Sequence, residues 1–143
     1  NVYMVLQILL GVSIAATNLY VFLAILLKNK KINPFNKLLM AQAVADFAVG
    51  SFNLPFLHFL TVFRYWPFSV TTCIFWSSLD NSLNVISIYQ VLFMSWTRYM
   101  SMQSPATYAN HILVRHSFLV CFFIWIFSFS FWVFNYLFTH YLS

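Results

Sequence analysis

The sequence predicts an all-α membrane protein, and three observations support that prediction. Of its 143 residues, 62% are hydrophobic and only 6% are charged, whereas about a quarter of the residues of soluble domains are charged. The apolar residues form four long runs, each long enough to cross about 30 Å of hydrocarbon as a helix. These runs lack the alternation of a membrane β-barrel. In lipid a helix satisfies its own backbone hydrogen bonds, so we expect each run to be helical.

Four spans follow from these runs, and each is interrupted by few polar residues. We expect helices at about residues 2–27, 38–63, 70–99 and 117–139. The first run is too long for a signal peptide and has no basic start. No repeat or flexible linker divides the chain, which predicts a single domain. Because the chain begins at Asn1 without a methionine and stops just past the fourth run, we expect it to be a fragment.

The lysine and arginine residues predict the orientation of the spans. Six of them flank the first and third loops, whereas Arg64 stands alone beside the second. Basic residues concentrate in cytoplasmic loops, so we expect the N-terminus outside the cell. The six are Lys28, Lys30, Lys31, Lys37, Arg98 and Arg115. The net charge of +5 therefore belongs to the inner membrane face. No basic groove-binding motif predicts a nucleic-acid partner.

The third helix carries a polar stripe. The eighteen positions between Asp80 and Arg98 make five full turns, so both side chains project from one face. A stripe with these groups is not expected to face lipid, but to face other helices or a wet cavity. At about 1.5 Å per residue the two charges lie about 27 Å apart, which predicts an outer site and an inner site on one helix. The other members of the stripe are Cys73, Trp76, Asn84, Ser87 and Val91.

The chain has only two acidic residues, Asp46 and Asp80, and both interrupt apolar runs. Each is either a binding group or a structural partner of a neighbouring helix, and such structural contacts contribute about 0.6 kcal/mol on average. Aromatic residues such as Trp76 more often belong to packing or to the interfacial belt than to a ligand site. Cys73 and Cys121 lie at different depths, too far apart for a disulfide. Cys73 is therefore a free thiol or half of a bridge whose partner lies beyond this chain.

Nothing in the sequence predicts an enzyme. The four histidines have no ligand partners at zinc-like spacing, and no nucleophile motif or phosphate-binding loop occurs. A fragment of an ion-coupled transporter or channel is a rival reading, because the two acids could bind an ion or relay protons. Against it, Gly11 and Gly50 are the only glycines, too few for the broken helices typical of such sites.

Five short motifs occur in an order and at spacings that resemble those of the rhodopsin-like G-protein-coupled receptors. They are Thr17 to Val21 with Asn18 at its centre, the run from Asn36 to Asp46, Trp66-Pro67-Phe68 before Cys73, Arg98-Tyr99 followed by Pro105 and Tyr108, and Trp125. The resemblance covers the whole chain. It implies a seven-transmembrane-helix receptor bundle of which this chain, residues 1–143, holds the first four helices.

This resemblance also implies roles for the motif residues. Structural roles would fall to Asn18, Trp66, Cys73 and Trp125, with Cys73 bridged to an outer loop beyond this chain. G-protein coupling and activation would involve Arg98, Tyr99, Pro105 and Tyr108. The implied partners are the lipid bilayer of the plasma membrane and, on its inner side, a heterotrimeric G protein.

Within the family, the pattern from Cys73 to Asp80 and Pro55 resemble the aminergic branch, and the fourth helix is most similar to muscarinic acetylcholine and histamine receptors. The resemblance implies that Asp80 binds the cationic nitrogen of a small extracellular ligand, an amine or a choline ester. The other implied ligand-binding residues are Trp76, Asn81 and Asn84. The implied cofactor is at most an allosteric sodium ion, held by Asp46 and Ser87.

The chain departs from the family pattern at several positions. Thr97 stands where the family has an acid beside Arg98, which predicts that the arginine is held more loosely. Asn81 and Asn84 replace the aromatic and small residues that such amine pockets usually contain. A receptor of the same fold for peptides, or one without a known ligand, is therefore an alternative.

Overall fold

The computed structural model describes residues 1–28 and 33–142. Every regular element in these ranges is helical, which confirms the predicted all-α fold. The long helices are α1 (Val2–Lys28), α2 (Pro34–Ala48), α3 (Leu54–Phe63), α4 (Val70–Gln103) and α7 (Ser117–Leu142). A π-helical segment (Val49–Asn53) joins α2 to α3 without a break, and two short helices, α5 (Pro105–Asn110) and α6 (Ile112–Arg115), connect α4 to α7.

Several helices extend further than predicted. The second span begins at Pro34 rather than at 38, because proline is pre-organised for the first helical position and needs no hydrogen-bond partner there. α4 continues to Gln103 rather than to 99 and ends one residue before Ser104-Pro105, since a residue before proline is driven out of the helical conformation. The fourth span continues to Leu142.

Three helices are long and apolar enough to cross a membrane by length and composition: α1, the continuous helix Pro34–Phe63, and α7. α4 has 34 residues, but its polar side chains make it less apolar than these three. Composition therefore supports three of the four predicted spans directly. α4 instead packs in the middle of the bundle, against α2 on one side and α7 on the other.

The buried face of α4 differs from the predicted polar stripe. Its buried positions are Ser78, Ser82, Leu83, Ile86, Gln90 and Thr97, which lie about a third of a turn away from Asp80 around the helix axis. On the stripe itself, Asn84, Val91 and Arg98 are exposed, and Asp80 is partly exposed. The described helices therefore cover the stripe only in part, and its predicted position against other helices or a wet cavity stays a prediction. They pack on the neighbouring face, where small serine side chains allow close approach.

The closest approach between α1 and the second span occurs at Gly50. A Cβ atom at this position would lie 2.8 Å from the backbone nitrogen of Ala15 and 2.9 Å from the carbonyl oxygen of Gly11. A Cβ at Gly11 would meet the Gly50 oxygen at 3.4 Å, an ordinary contact. Gly50 is therefore required for the packing of the two helices, as small residues commonly are in membrane bundles.

One end of the bundle is basic. The Arg98 guanidinium at the end of α4 lies 3.9 Å from the centre of the Phe35 ring at the start of α2. Lys37 Nζ lies 5.8 Å from the Phe118 ring at the start of α7. Three helix ends thus meet, and two of them carry basic side chains, as the predicted inner face requires. The orientation itself stays a prediction, and two of the lysines used for it, Lys30 and Lys31, lie outside the described residues.

The opposite end is aromatic. Trp66, in the loop between α3 and α4, packs on Trp76 with ring centres 5.3 Å apart. Phe68 meets Trp66 edge-on at 5.3 Å and Phe56 at 5.8 Å. Ser69 caps α4 with its Oγ, which accepts a hydrogen bond of 3.3 Å from the backbone of Thr72. The loop is therefore folded onto the start of α4, the end of that helix nearer to Asp80.

Candidate functional site

Asp80 is paired with a side chain that was not among the predicted site residues. Its Oδ1 accepts a hydrogen bond of 2.8 Å from Nδ2 of Asn53, on the π segment. Asn53 is 5% exposed, whereas Asp80 is partly exposed. No hydrogen bond reaches Asp80 Oδ2 from any residue in the described ranges. One carboxylate oxygen thus accepts a hydrogen bond from an amide of the second span, and the other has no partner among the described residues.

The π segment turns Asn53 toward α4. A π turn contains one more residue than an α turn, so the side chains beyond it are rotated by about 100° relative to an uninterrupted helix. Pro55 follows the segment, and a proline ring clashes with the carbonyl group four residues earlier in a regular α-helix. The wider turn relieves that clash. A polar residue just before an intramembrane proline was the available sequence signal for Asn53.

Trp76, one turn before Asp80 and predicted to line the ligand pocket, is stacked on another tryptophan. Its ring lies 27° from parallel to the Trp66 ring, so one of its faces is covered. Its Nε1 is buried and has no hydrogen-bond partner in the described chain. Trp66 donates from Nε1 to the carbonyl oxygen of Ser69 at 3.1 Å, which gives its predicted structural role a physical basis.

The two predicted pocket asparagines have different surroundings. Asn81 donates from Nδ2 to the hydroxyl of Tyr136 at 2.7 Å and to the carbonyl oxygen of Ser77 at 2.9 Å. Its side chain therefore joins α4 to α7. Asn84 lies one turn after Asp80 and is exposed. Of these two residues, Asn84 has the amide that remains accessible beside the carboxylate.

The predicted sodium ligands are not joined by a hydrogen bond. Asp46 Oδ1 accepts a long contact of 3.5 Å from Nε2 of Gln42, and Ser87 on α4 makes no hydrogen bond to Asp46. The Oε1 atom of the same Gln42 amide is buried without a partner in the described structure. Carboxylate and carbonyl oxygens suit a hard cation. The oxygen types at Asp46 and Gln42 are those that a sodium ion takes, and the sodium site itself stays a prediction.

At the inner end of α4, no acidic residue stands beside Arg98, and the neighbouring position is Thr97. Thr97 is 1% exposed, and its hydroxyl donates to the Met94 carbonyl oxygen at 2.7 Å rather than contacting Arg98. Among the described residues Arg98 has no acidic partner; it lies over Phe35 and borders a cavity of about 270 Å³ that Tyr108 also lines. The remaining two predicted coupling residues are Tyr99, which is exposed, and Pro105, the first residue of α5.

The predicted structural residues lie within the helix bundle. Asn18 donates from Nδ2 to the carbonyl oxygen of Ile14 at 2.8 Å, within α1. Trp125 lines a groove between α7 and α2 together with Met40. Cys73 and Cys121 are both free thiols. The disulfide implied for Cys73 is thus not formed within the part of the chain that the structure describes.

A second set of polar side chains, on the buried face of α4, was not predicted. Gln90 is fully buried, and neither polar atom of its amide has a partner in the described ranges. Ser82 Oγ lies 3.3 Å from the Ser128 carbonyl oxygen across the helix interface. The spacing of four residues from Ser78 to Ser82 was the available signal, since it places both on one helical face.

The sequence also matches a known family over most of its length. A sequence model of the family "7 transmembrane receptor (rhodopsin family)" matches residues 17–143. The chain belongs to the rhodopsin family of seven-transmembrane receptors. Its membership confirms the predicted receptor fold, and its described helices form part of that bundle.

Curated relatives of this rhodopsin-family chain include muscarinic acetylcholine receptors. It is 36% identical to receptor DM1 of Drosophila melanogaster over 73 residues, 51% of this chain and 9% of the relative. It is 28% identical to receptor M4 of Gallus gallus over 115 residues, 80% of this chain and 24% of the relative. Receptor gar-3 of Caenorhabditis elegans is 33% identical over 73 residues, 51% of this chain and 12% of the relative. The chain therefore spans only 9% to 24% of the length of these relatives.

These relatives agree with the predicted aminergic-like, class A assignment. They are receptors and not enzymes, and proteins of this family cross the plasma membrane several times. The apolar helices of the present chain match that location. We therefore place this rhodopsin-family chain in the plasma membrane.

Proposed function

We propose that the full-length receptor binds a small cationic amine-type ligand from outside the cell and activates a heterotrimeric G protein inside. The supporting observation is the Asp80 carboxylate, one oxygen of which is held by Asn53 while the other has no described partner. It lies ten residues into α4, or about 15 Å from the aromatic end. A carboxylate in apolar surroundings is costly unless a positive charge compensates it, and a ligand cation supplies that charge.

The relatives support a positively charged ligand. Their names identify them as acetylcholine receptors, and acetylcholine carries a permanent positive charge. Asp46 and Asp80 are the chain's only acids, and Asp80 is the one placed toward the aromatic end. This end of the bundle therefore suits a cationic ligand best. A peptide or orphan receptor of the same fold is the alternative, and family membership disfavours the transporter or channel reading.

The test is a panel of small cationic amines and their neutral isosteres, applied to the full-length receptor in membranes that contain G protein. We expect at least one cationic compound to stimulate nucleotide exchange, and the neutral isostere of that compound to be inactive. Activation by neutral isosteres as strong as that by the cations would contradict the proposal. Activation by peptides alone would favour the alternative receptor class.

A sodium ion would be held by Asp46 and Ser87, as the family resemblance implies, with the orphaned Gln42 oxygen as a further ligand. Bound there, it would supply a positive charge that stabilises the inactive arrangement of the helices. The carboxylate of Asp46 would supply the negative charge, and the amide and hydroxyl oxygens would complete part of the coordination shell.

The loose environment of Arg98 predicts high basal signalling, which Thr97→Asp should reduce. In the present structure the arginine has a ring contact with Phe35, a type of interaction worth about 0.5–1 kcal/mol at exposed sites. A hydrogen bond to an ionised partner contributes about 1.5–3 kcal/mol. The added stabilisation of about 1–2 kcal/mol should lower basal nucleotide exchange by about 5- to 30-fold.

The measurement is ligand-free nucleotide exchange, normalised to the amount of receptor at the cell surface. Thr97→Asn is the matched control, because it has nearly the same shape as aspartate but no charge, and it should leave basal exchange nearly unchanged. Equal basal exchange in the Thr97→Asp variant and the unmodified receptor would refute the proposed role of Thr97.

A further inference from the structure

The two carboxylate oxygens of Asp80 have different surroundings, and this difference bears on which kind of cation the site prefers. Asn53 Nδ2 donates a hydrogen bond of 2.8 Å to Oδ1 of the carboxylate, whereas Oδ2 has no hydrogen-bond partner among the described residues and is the less engaged acceptor. Asn53 is 5% exposed and lies in a continuous helix, so its amide gives the carboxylate a preferred orientation. A single oriented acceptor suits a directional, charge-assisted hydrogen bond from an N–H group.

Near Asp80, an amide group is more accessible to a ligand than an uncovered aromatic ring face. Asn84, the next residue along the same face, has an exposed amide. Trp76, the preceding residue on that face, already has one ring face against Trp66 at 5.3 Å. Quaternary ammonium ions have no N–H group and are recognised chiefly by the faces of several aromatic rings. The described part of the site therefore offers fewer favourable contacts to a quaternary ammonium ion than to a cation with an N–H group.

We propose that Asn53 is a positioning residue that makes the Asp80 site select cations carrying an N–H bond over quaternary ammonium ions. This inference rests on the proposed function, because it requires Asp80 to bind the ligand's cation. Asn53 acts through Asp80: its amide orients Oδ2 toward an incoming N–H group and partly offsets the charge on Oδ1. A quaternary ion, whose charge is spread over its methyl groups, gains nothing from that orientation.

The test compares two probes that differ by one methyl group, protonated 2-(dimethylamino)ethyl acetate and acetylcholine. Their affinities are measured on the full-length receptor and on its Asn53→Leu variant, which keeps the number and branching of the side-chain heavy atoms but has no amide. We expect the variant to lower the ratio of tertiary to quaternary affinity by about tenfold, the size of one charge-assisted hydrogen bond. Asn53→Ser also removes the amide in a smaller side chain and should shift the ratio in the same direction.

Two controls separate positioning from a general structural role. The side chain of Asn135 donates to the Phe131 carbonyl oxygen of its own helix, at 3.2 Å, far along the chain from Asp80, so Asn135→Leu should leave the ratio unchanged. In an Asp80→Asn background, Asn53→Leu should no longer change the ratio, because the oriented charge is gone. A merely structural Asn53 would lower both affinities together and leave their ratio as it was.

The outcomes distinguish this inference from the proposed function. If Asp80→Asn weakens both probes but Asn53→Leu leaves their ratio unchanged, the inference is wrong and the cation site stands. If the unmodified receptor binds neither probe, or if Asp80→Asn affects neither affinity, the proposed function fails and the inference fails with it. A ratio that falls with both Asn53 variants, and only when Asp80 is present, supports the positioning role.

Discussion

Asp80→Asn is expected to lower the affinity of the full-length receptor for a cationic ligand by roughly a hundred- to several thousandfold. A bound ligand covers the partly exposed carboxylate, so the substitution would leave the ligand's charge uncompensated in a desolvated pair, at a cost of about 3–5 kcal/mol. Each tenfold change in affinity corresponds to about 1.4 kcal/mol. Asparagine has the same shape as aspartate. Its carbonyl oxygen can still accept the hydrogen bond from Asn53, so the packing around α4 and the π segment should be retained.

The measurement is radioligand binding together with surface expression, on the unmodified receptor and the Asp80→Asn variant. Asp80→Glu is the matched control: it keeps the charge but moves it by one methylene group, and it should retain more affinity than Asp80→Asn. A purely structural Asp80 would give poor expression, with near-normal binding by the receptors that reach the surface. A well-expressed Asp80→Asn variant with unchanged amine affinity would end the amine reading, and the peptide or orphan alternative would replace it.

Gly50→Ala is expected to destabilise the receptor by about 1–3 kcal/mol, the usual cost of inserting a methyl group into a well-packed core. The added Cβ would lie 2.8 Å from a backbone nitrogen of α1. Backbone cannot move aside as a flexible side chain can. Relief therefore requires α1 to shift away from the π segment, which also carries Asn53. The measurement is the thermal unfolding midpoint of the purified full-length receptor.

Gly11→Ala provides the control on the opposite side of the same contact. Its Cβ would be 3.4 Å from the nearest atom, so it should fit. Alanine is favoured over glycine within a helix by about 1 kcal/mol. We therefore expect Gly11→Ala to be neutral or slightly stabilising. Equal unfolding midpoints for the two variants would show that the close approach at Gly50 does not limit stability.

The sequence by itself determined the features that depend on composition and on local geometry. Long apolar runs require helices in lipid, so the helices lie close to their predicted positions. Proline and capping chemistry adjusted the ends: Pro34 starts the second span earlier than hydropathy indicates, and Pro105 sets the end of α4. The polar stripe from Asp80 to Arg98 follows from helical periodicity alone, and so does the separation of an outer site from an inner one.

Only the tertiary structure decided which face of α4 is buried and which residue holds Asp80. Periodicity shows that Asp80 and Asn84 lie on one face, but the burial of that face depends on where neighbouring helices pack. Asn53 and Asp80 are 27 positions apart. They meet because the π segment before Pro55 turns Asn53 toward α4. Gly50, in the same segment, allows α1 to pack closely against it. A hydrogen bond between helices depends on the rotation and spacing of both, and these are set by packing rather than by either helix's own sequence.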